Sequence, residues 1–158
     1  MSLIDPAIVK VLIDTQIETV SGSVIQTIMH AGDVVPHNKD RWIKVVAIDL
    51  DSLPMDREDA TDATGLDAAA ITVTVNCFAS QRAMRTKSGA LASVMAEVRR
   101  VLHRATLRDA SSTHQIDLTE VRCVEDREVD EQRRTSTGMV QAMGTVTRLT
   151  GATMTAFV

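Results

Sequence analysis

The sequence predicts a two-layer α+β domain, in which an antiparallel or mixed β-sheet is flanked by an N-terminal helix and one long amphipathic helix. Three observations predict it. Residues 70–78 alternate, with Ile71, Val73, Val75 and Cys77 on one face and Thr72, Thr74 and Asn76 on the other, the period of a half-buried strand. Leu91, Val94, Met95, Val98, Val101 and Leu102 recur at three- and four-residue steps, the apolar stripe of a helix lying on a core. Two further alternating stretches, 115–125 and 137–149, enclose the charged run EDREVDEQRR at 125–134, which reads as an antiparallel hairpin with a long solvated or interface-making tip.

Each element has its own local reason. Asp5-Pro6 opens a helix, since Asp caps free N–H groups and Pro tolerates the first helical position. Val9, Ile13, Ile17 and Val20 then mark its buried face, widened by Ile8 and Leu12, until Ser21-Gly22-Ser23 interrupts it. Residues 24–29 are short enough for a strand yet helically spaced, and are read as a strand. After the Gly32- and Pro36-containing loop 31–41, Trp42 to Leu50 reads as a strand. Residues 51–67 hold Pro54, Gly65 and six acids against Arg57 alone, an acidic loop that buries little and joins two strands. The long helix falls within residues 82–104, its outer face carrying Glu97, Arg99, Arg100 and Arg104, with cations where the helix dipole favours them.

A chain of 158 residues fits a single domain, 1–158, able to bury roughly two thirds of its unfolded surface. Cys77 and Cys123 sit in apolar or alternating runs, as small buried hydrophobes rather than a disulfide framework. The first residues lack the basic start and apolar run of a signal peptide, and no stretch approaches the ~20 apolar residues of a membrane span, so the expected place of synthesis is the cytosol. A net charge of -4 provides no basic footprint for neutralising phosphates. With Trp42, Phe78 and Phe157 the sole aromatics, platforms for stacking bases or sugars are nearly absent. The aliphatic, methionine-rich remainder, including Met84, Met95, Met139 and Met143, suits a core or a subunit interface, and Trp42 an anchor in either.

No catalytic, cofactor or metal motif is recognisable. No GxGxxG or GxxxxGK[ST] pattern occurs. His30, Asp33, His37 and Asp40 lie close together, but their spacing fits neither a finger nor HExxH; a solvated loop is the plainer reading. The acidic stretch 56–67 has the length of a calcium loop but Thr61 where that loop needs glycine. No GxSxG elbow is present. Cys77 reads as core-facing, His103 as a surface residue at a helix end and His114 as a loop residue. The expectation is a protein that is not an enzyme and needs no cofactor.

The order capped helix, strand ending near Pro54, strand AITVTVNCFAS, helix ALASVMAEVRRVLHRA and closing hairpin resembles bacteriophage tail terminators and related neck or minor tail proteins. The resemblance spans most of the chain; its most telling part is residues 70–104, whereas the acidic 51–67 segment and the TGATMTAFV tail depart from it. It implies a virion structural protein assembled in the host bacterial cytoplasm. Such a protein forms a ring, usually hexameric, at the end of the tail tube, stops tube polymerisation and joins tail to head through neck or head-completion proteins. No cofactor, no membrane and no sequence-specific nucleic-acid binding are implied; DNA would pass through the lumen, which a negative ring would keep free of adhering phosphates. The alternating charges Glu125, Asp126, Arg127, Glu128, Asp130, Glu131, Arg133 and Arg134 are the candidate oligomer interface, against the plainer reading of a solvated hairpin tip. Rival readings are another head-completion or tube protein, a small enzyme built on Cys77, His103 and His114, and a monomeric or dimeric adaptor.

Overall fold

The computed structural model describes residues 4–30, 32–34, 39–52, 67–86, 89–111, 113–124, 129–130 and 135–148. The first helix, α1 (Pro6–Ile17), starts where the sequence places it. Asp5 stands at the N-cap and accepts from the Ala7 N–H at 2.9 Å, and Val9, Ile13 and Ile17 are buried. It stops at Ile17, one turn short of Val20. Strand β1 (Thr27–Met29) is shorter than the expected 24–29, because Val24 lies in a turn closed by its N–H on the Ser21 carbonyl. Strands β2 (Arg41–Ser52) and β3 (Asp67–Ser80) follow. They absorb Asp51, Ser52 and Asp67 from the two ends of the expected acidic loop, whose residues 53–66 lie outside the described residues.

Helices α2 (Gln81–Thr86) and α3 (Ala90–Leu102) come next, then β4 (Thr106–Arg108), β5 (His114–Val124), β6 (Val129–Asp130) and β7 (Thr135–Arg148). The sheet runs β1-β2-β3-β7-β5-β4, with the two-residue β6 adding to β7. The β1–β2 pair is parallel and the others antiparallel. The described part of the chain is therefore mostly β, with 50% of the described residues in strands and a six-strand mixed sheet curled into a half-barrel. This corrects the expected two-layer α+β plan with one long amphipathic helix. The stretch 82–104 yields two short helices instead of one, the second starting after Gly89, which caps it without a side-chain bond. The strands meanwhile run longer than their alternation shows, since Ala68, Ala69, Gly138, Gly144 and Thr145 pair in register while adding little to the apolar period.

Two β-bulges curl the sheet, one between Val45 and Ala47 in β2 and one between Leu118 and Glu120 in β5; bulges bend a strand and increase its twist. Beside the second, Gly144 has no room for a Cβ, which would collide with the Asp117 carbonyl, so glycine is what lets β7 and β5 approach there.

One face of the sheet is dry. Ile43, Ile71, Val73, Val75, Cys77, Ile116, Val140, Ala142 and Val146 meet the stripe Leu91, Val94, Met95, Val98, Val101 and Leu102 of α3. Glu97, expected on the outer face, is buried. Its carboxylate accepts from the Ser21 N–H at 2.7 Å and pairs with Arg100 at 2.6 Å, and the Arg100 guanidinium holds it below the usual carboxylate range. Gln16 Nε2 donates to the Val101 carbonyl at 2.7 Å, so α1 is tied to α3 by polar contacts at its C-terminal end. The opposite face carries a smaller apolar patch, where Trp42 stacks on Phe78 with ring centroids 5.3 Å apart.

The sheet cannot stay folded without the α3 stripe. Val98→Asp places an unpaired charge at a fully buried position, at a cost on the order of 3–5 kcal/mol. Circular dichroism and urea titration of this variant should show an unfolded or strongly destabilised chain; a folded variant of parental stability would show that the stripe is not core.

Candidate functional site

Short outer strands leave both sides of the sheet incompletely paired. On one side, β1 covers β2 only from Trp42 to Lys44, and among the described residues no strand pairs with the free edge of residues 45–52. On the other, β4 covers β5 only from Gln115 to Asp117, the Leu118 N–H reaches the Ala105 carbonyl at 2.9 Å, and residues 119–124 have no further strand beside them among the described residues. A strand edge of this kind presents a row of unused N–H and C=O groups.

The β2 edge is backed by a groove of about 270 Å³ between α1 and the bulge, walled by Pro6, Lys10 and Asp14 on one side and by Val46, Ile48 and Leu50 on the other, with His30 at its margin. The bulge turns Val46 outward, to 46% exposure. Asp14 divides its oxygens: Oδ2 is held by Lys10, whereas Oδ1 is buried without a hydrogen-bond partner and lies 3.9 Å from His30 Nδ1. The groove is largely apolar, with a single polar group unsatisfied.

The β5 edge differs in form. Residues 119, 120 and 122–124 are exposed and Val121 is half-buried, so this half-strand projects from the body with little over either face. Val124 is 46% exposed, Cys123 is exposed, and Arg122 Nε donates to Glu120 Oε1 at 3.0 Å. The expectation that both cysteines are buried holds for Cys77 and fails for Cys123, because α3 does not extend over the end of β5.

The charged segment expected as the oligomer interface continues directly from this edge. Glu125, Asp126, Arg127, Glu128, Glu131, Arg133 and Arg134 lie outside the described residues. Asp130 belongs to β6, where its backbone pairs with Thr135. The 53–66 part of the acidic loop, including the calcium-loop length, and the TGATMTAFV tail also lie outside them.

The residues considered for chemistry are dispersed. Cys77 is in the core; His103 caps α3, its N–H on the Arg99 carbonyl at 2.7 Å; His114 is not in a loop but opens β5, at 2% exposure. None of the three hydrogen-bonds another. The His30 N–H is held by Asp33 at 2.7 Å, whereas Asp40 accepts from Ser80 and Arg82, and His37 lies outside the described residues. Among the described residues no three His, Cys, Asp or Glu side chains converge as metal ligands, and no helix is long and apolar enough to cross a membrane. No protein-family model matches the chain, and no curated protein matches it either.

The two cysteines should separate in reactivity. Burial pushes the Cys77 thiol up to about 12, and reactivity requires an accessible thiolate. Mass spectrometry after brief treatment of the native protein with iodoacetamide should find Cys123 modified and Cys77 intact, with both modified in denaturant. Labelling of native Cys77 at the rate of Cys123 would contradict this packing.

Proposed function

We propose that this chain is a ring-forming structural protein of the virion, a tail terminator of a tailed bacteriophage, and not an enzyme. The observation that carries this reading is the pair of open edges on one curved sheet. Strands β2 and β5 run antiparallel to one another, since three antiparallel pairings separate them. The β2 edge of one copy therefore has the right polarity to pair with the β5 edge of the next, continuing the sheet across the junction.

Such a contact is heterologous, head to tail, and heterologous contacts close into rings when the rotation per copy permits. Curvature supplies rotation: an already half-barrel-shaped sheet does not extend as a flat ribbon. The edges are chemically matched as well. Val46, Ile48 and Leu50 line one and Val121, Cys123 and Val124 the other, so pairing would cover apolar area on both copies. The charged run 125–134 follows Val124 directly in sequence, and in this reading it contributes to the same junction. There its acids and Arg133 and Arg134 would set register more than affinity.

The tail-terminator assignment within this class rests on the element order and on composition. A chain of net charge -4 with three aromatics suits a channel that passes DNA without holding it. Its partners in this reading are the tail tube protein, on which the ring would end polymerisation, and a neck or head-completion protein.

Light scattering on purified protein, with electron microscopy of negatively stained particles, tests the ring. A ring is the expected particle, alone or on tail tubes; a strict monomer in both settings would overturn the reading. Val124→Lys adds a charge to the β5 edge without touching the core. It should weaken assembly at least tenfold, equivalent to about 1.4 kcal/mol per junction, with an unchanged melting temperature for the subunit. Reversing Arg133 and Arg134 to Glu should also weaken assembly, and more at low salt than at high. Unimpaired assembly of the double variant would assign the junction to the strand edges alone.

A further inference from the structure

His114 is the one buried histidine among the described residues, and its two ring nitrogens are used in a way that permits a single protonation state. Nε2 lies 3.1 Å from the backbone nitrogen of Asp5, the N-cap of α1 and 109 positions away in sequence. Nδ1 lies 3.0 Å from Thr113 Oγ1, which in turn is 2.7 Å from Asp109 Oδ2. The second Asp109 oxygen accepts from the Thr113 and His114 N–H groups at 2.7 and 2.9 Å.

A peptide N–H only donates, so Nε2 must present its lone pair to Asp5 and the ring proton must sit on Nδ1. From there the chain runs one way: Nδ1–H donates to Thr113 Oγ1, and the Thr113 hydroxyl donates to the Asp109 carboxylate. Placing a second proton on the ring turns Nε2 from an acceptor into a donor facing a donor, and the bond to Asp5 is lost.

We infer that His114 is a proton-operated latch, which holds the N-terminal end of α1 against the sheet while neutral and releases it in acid.

Charged groups face the ring from three elements. Asp5 approaches from the start of α1 and Asp109 from the β4–β5 turn, both favouring the charged ring; Arg148, opposite His114 in the β5–β7 register, opposes it. Burial is the largest influence and, with Arg148, leaves the imidazole below its ordinary range. For Asp109, burial acts upward, but the hydrogen bonds from His114 and Thr113 outweigh it and keep the carboxyl low. Asp109 thus stays ionised where His114 titrates. The sign follows: the neutral ring is favoured by folding, so the latch is complete above the ordinary histidine range and is lost as pH falls through the depressed value.

The latch stands independently of the ring. It gains a consequence if the ring reading holds, because Pro6 and Lys10 of α1 wall the groove along the β2 edge.

Amide hydrogen exchange on the full chain, between about pH 7.5 and about pH 4.5 and corrected for the intrinsic rate change, tests it. Protection at Asp5 and Val9 should fall by up to about tenfold per pH unit as pH drops below the ordinary histidine range, levelling off once the depressed value is passed, while the amides of β3 keep theirs. In His114→Gln, whose side-chain carbonyl can accept from Asp5 without titrating, protection of Asp5 and Val9 should be independent of pH. Asp5→Asn, which retains the cap and removes a charge that favours the protonated ring, should keep the acid response, displaced to lower pH. The proposal is overturned if the parent shows no selective loss in acid, if His114→Gln loses protection in parallel with it, or if Asp5→Asn removes the response.

Discussion

The packing of α3 on β3 and β7 is the contact from which the remaining architecture follows. Its stripe, from Leu91 to Leu102, determines which face of the sheet is dry. It also helps hold α1, whose Val9, Ile13 and Ile17 join the same core, while Ser21 and Gln16 bind to Glu97 and to the Val101 carbonyl of α3. With α1 fixed in this way, its N-terminal half stands beside β2, and the groove under the β2 edge exists because of it. A change at Val98 therefore bears on the groove as well as on the core.

The same contact explains where the sheet stops being closed. A helix of 13 residues is about 20 Å long, while β3 and β7, with 14 residues each, extend about 45 Å. No single helix of that length covers the full strands. The uncovered end is where β5 becomes largely exposed from Thr119 to Val124, with Val121 alone half-buried, and where the sequence turns from alternation to charge. Open edges invite uncontrolled pairing, and here Asp49 and Asp51 on β2 and Glu120 and Arg122 on β5 accompany the exposed valines. Those charges disfavour indiscriminate stacking of edges and leave room for a partner with the right register.

How much of this was legible depended on whether one residue's neighbours in sequence were also its neighbours in space. The alternation of residues 71–77 and the helical stripe of 91–102 report local geometry, and both faces were read correctly. The Asp5-Pro6 cap is local too. The fold class was not, because strand length is set by pairing partners: Ala68–Ala70 and Gly144 become strand through register with distant residues. Glu97 lies at the edge of the stripe and is drawn inward by the Ser21 N–H, 76 positions away. His114 follows a polar loop and carries no periodic signal, yet Asp5 and Asp109 make it a buried hub. The open edges were not legible, because among the described residues they are a property of how short β1 and β4 are, which two three-residue segments cannot announce.

Among the described residues, the carboxylates held below their ordinary range serve separate structural duties: Glu97 with Arg100 and Ser21, Asp40 with Arg82 and Ser80, Asp109 with Thr113 and His114. Asp14 divides its contacts in the same local way, with Oδ2 held by Lys10 and the buried Oδ1 3.9 Å from His30 Nδ1. Each of these contacts is local in space, and together they tie the Ser21 turn to α3, the start of β2 to the start of α2, and the β4–β5 turn to the start of β5.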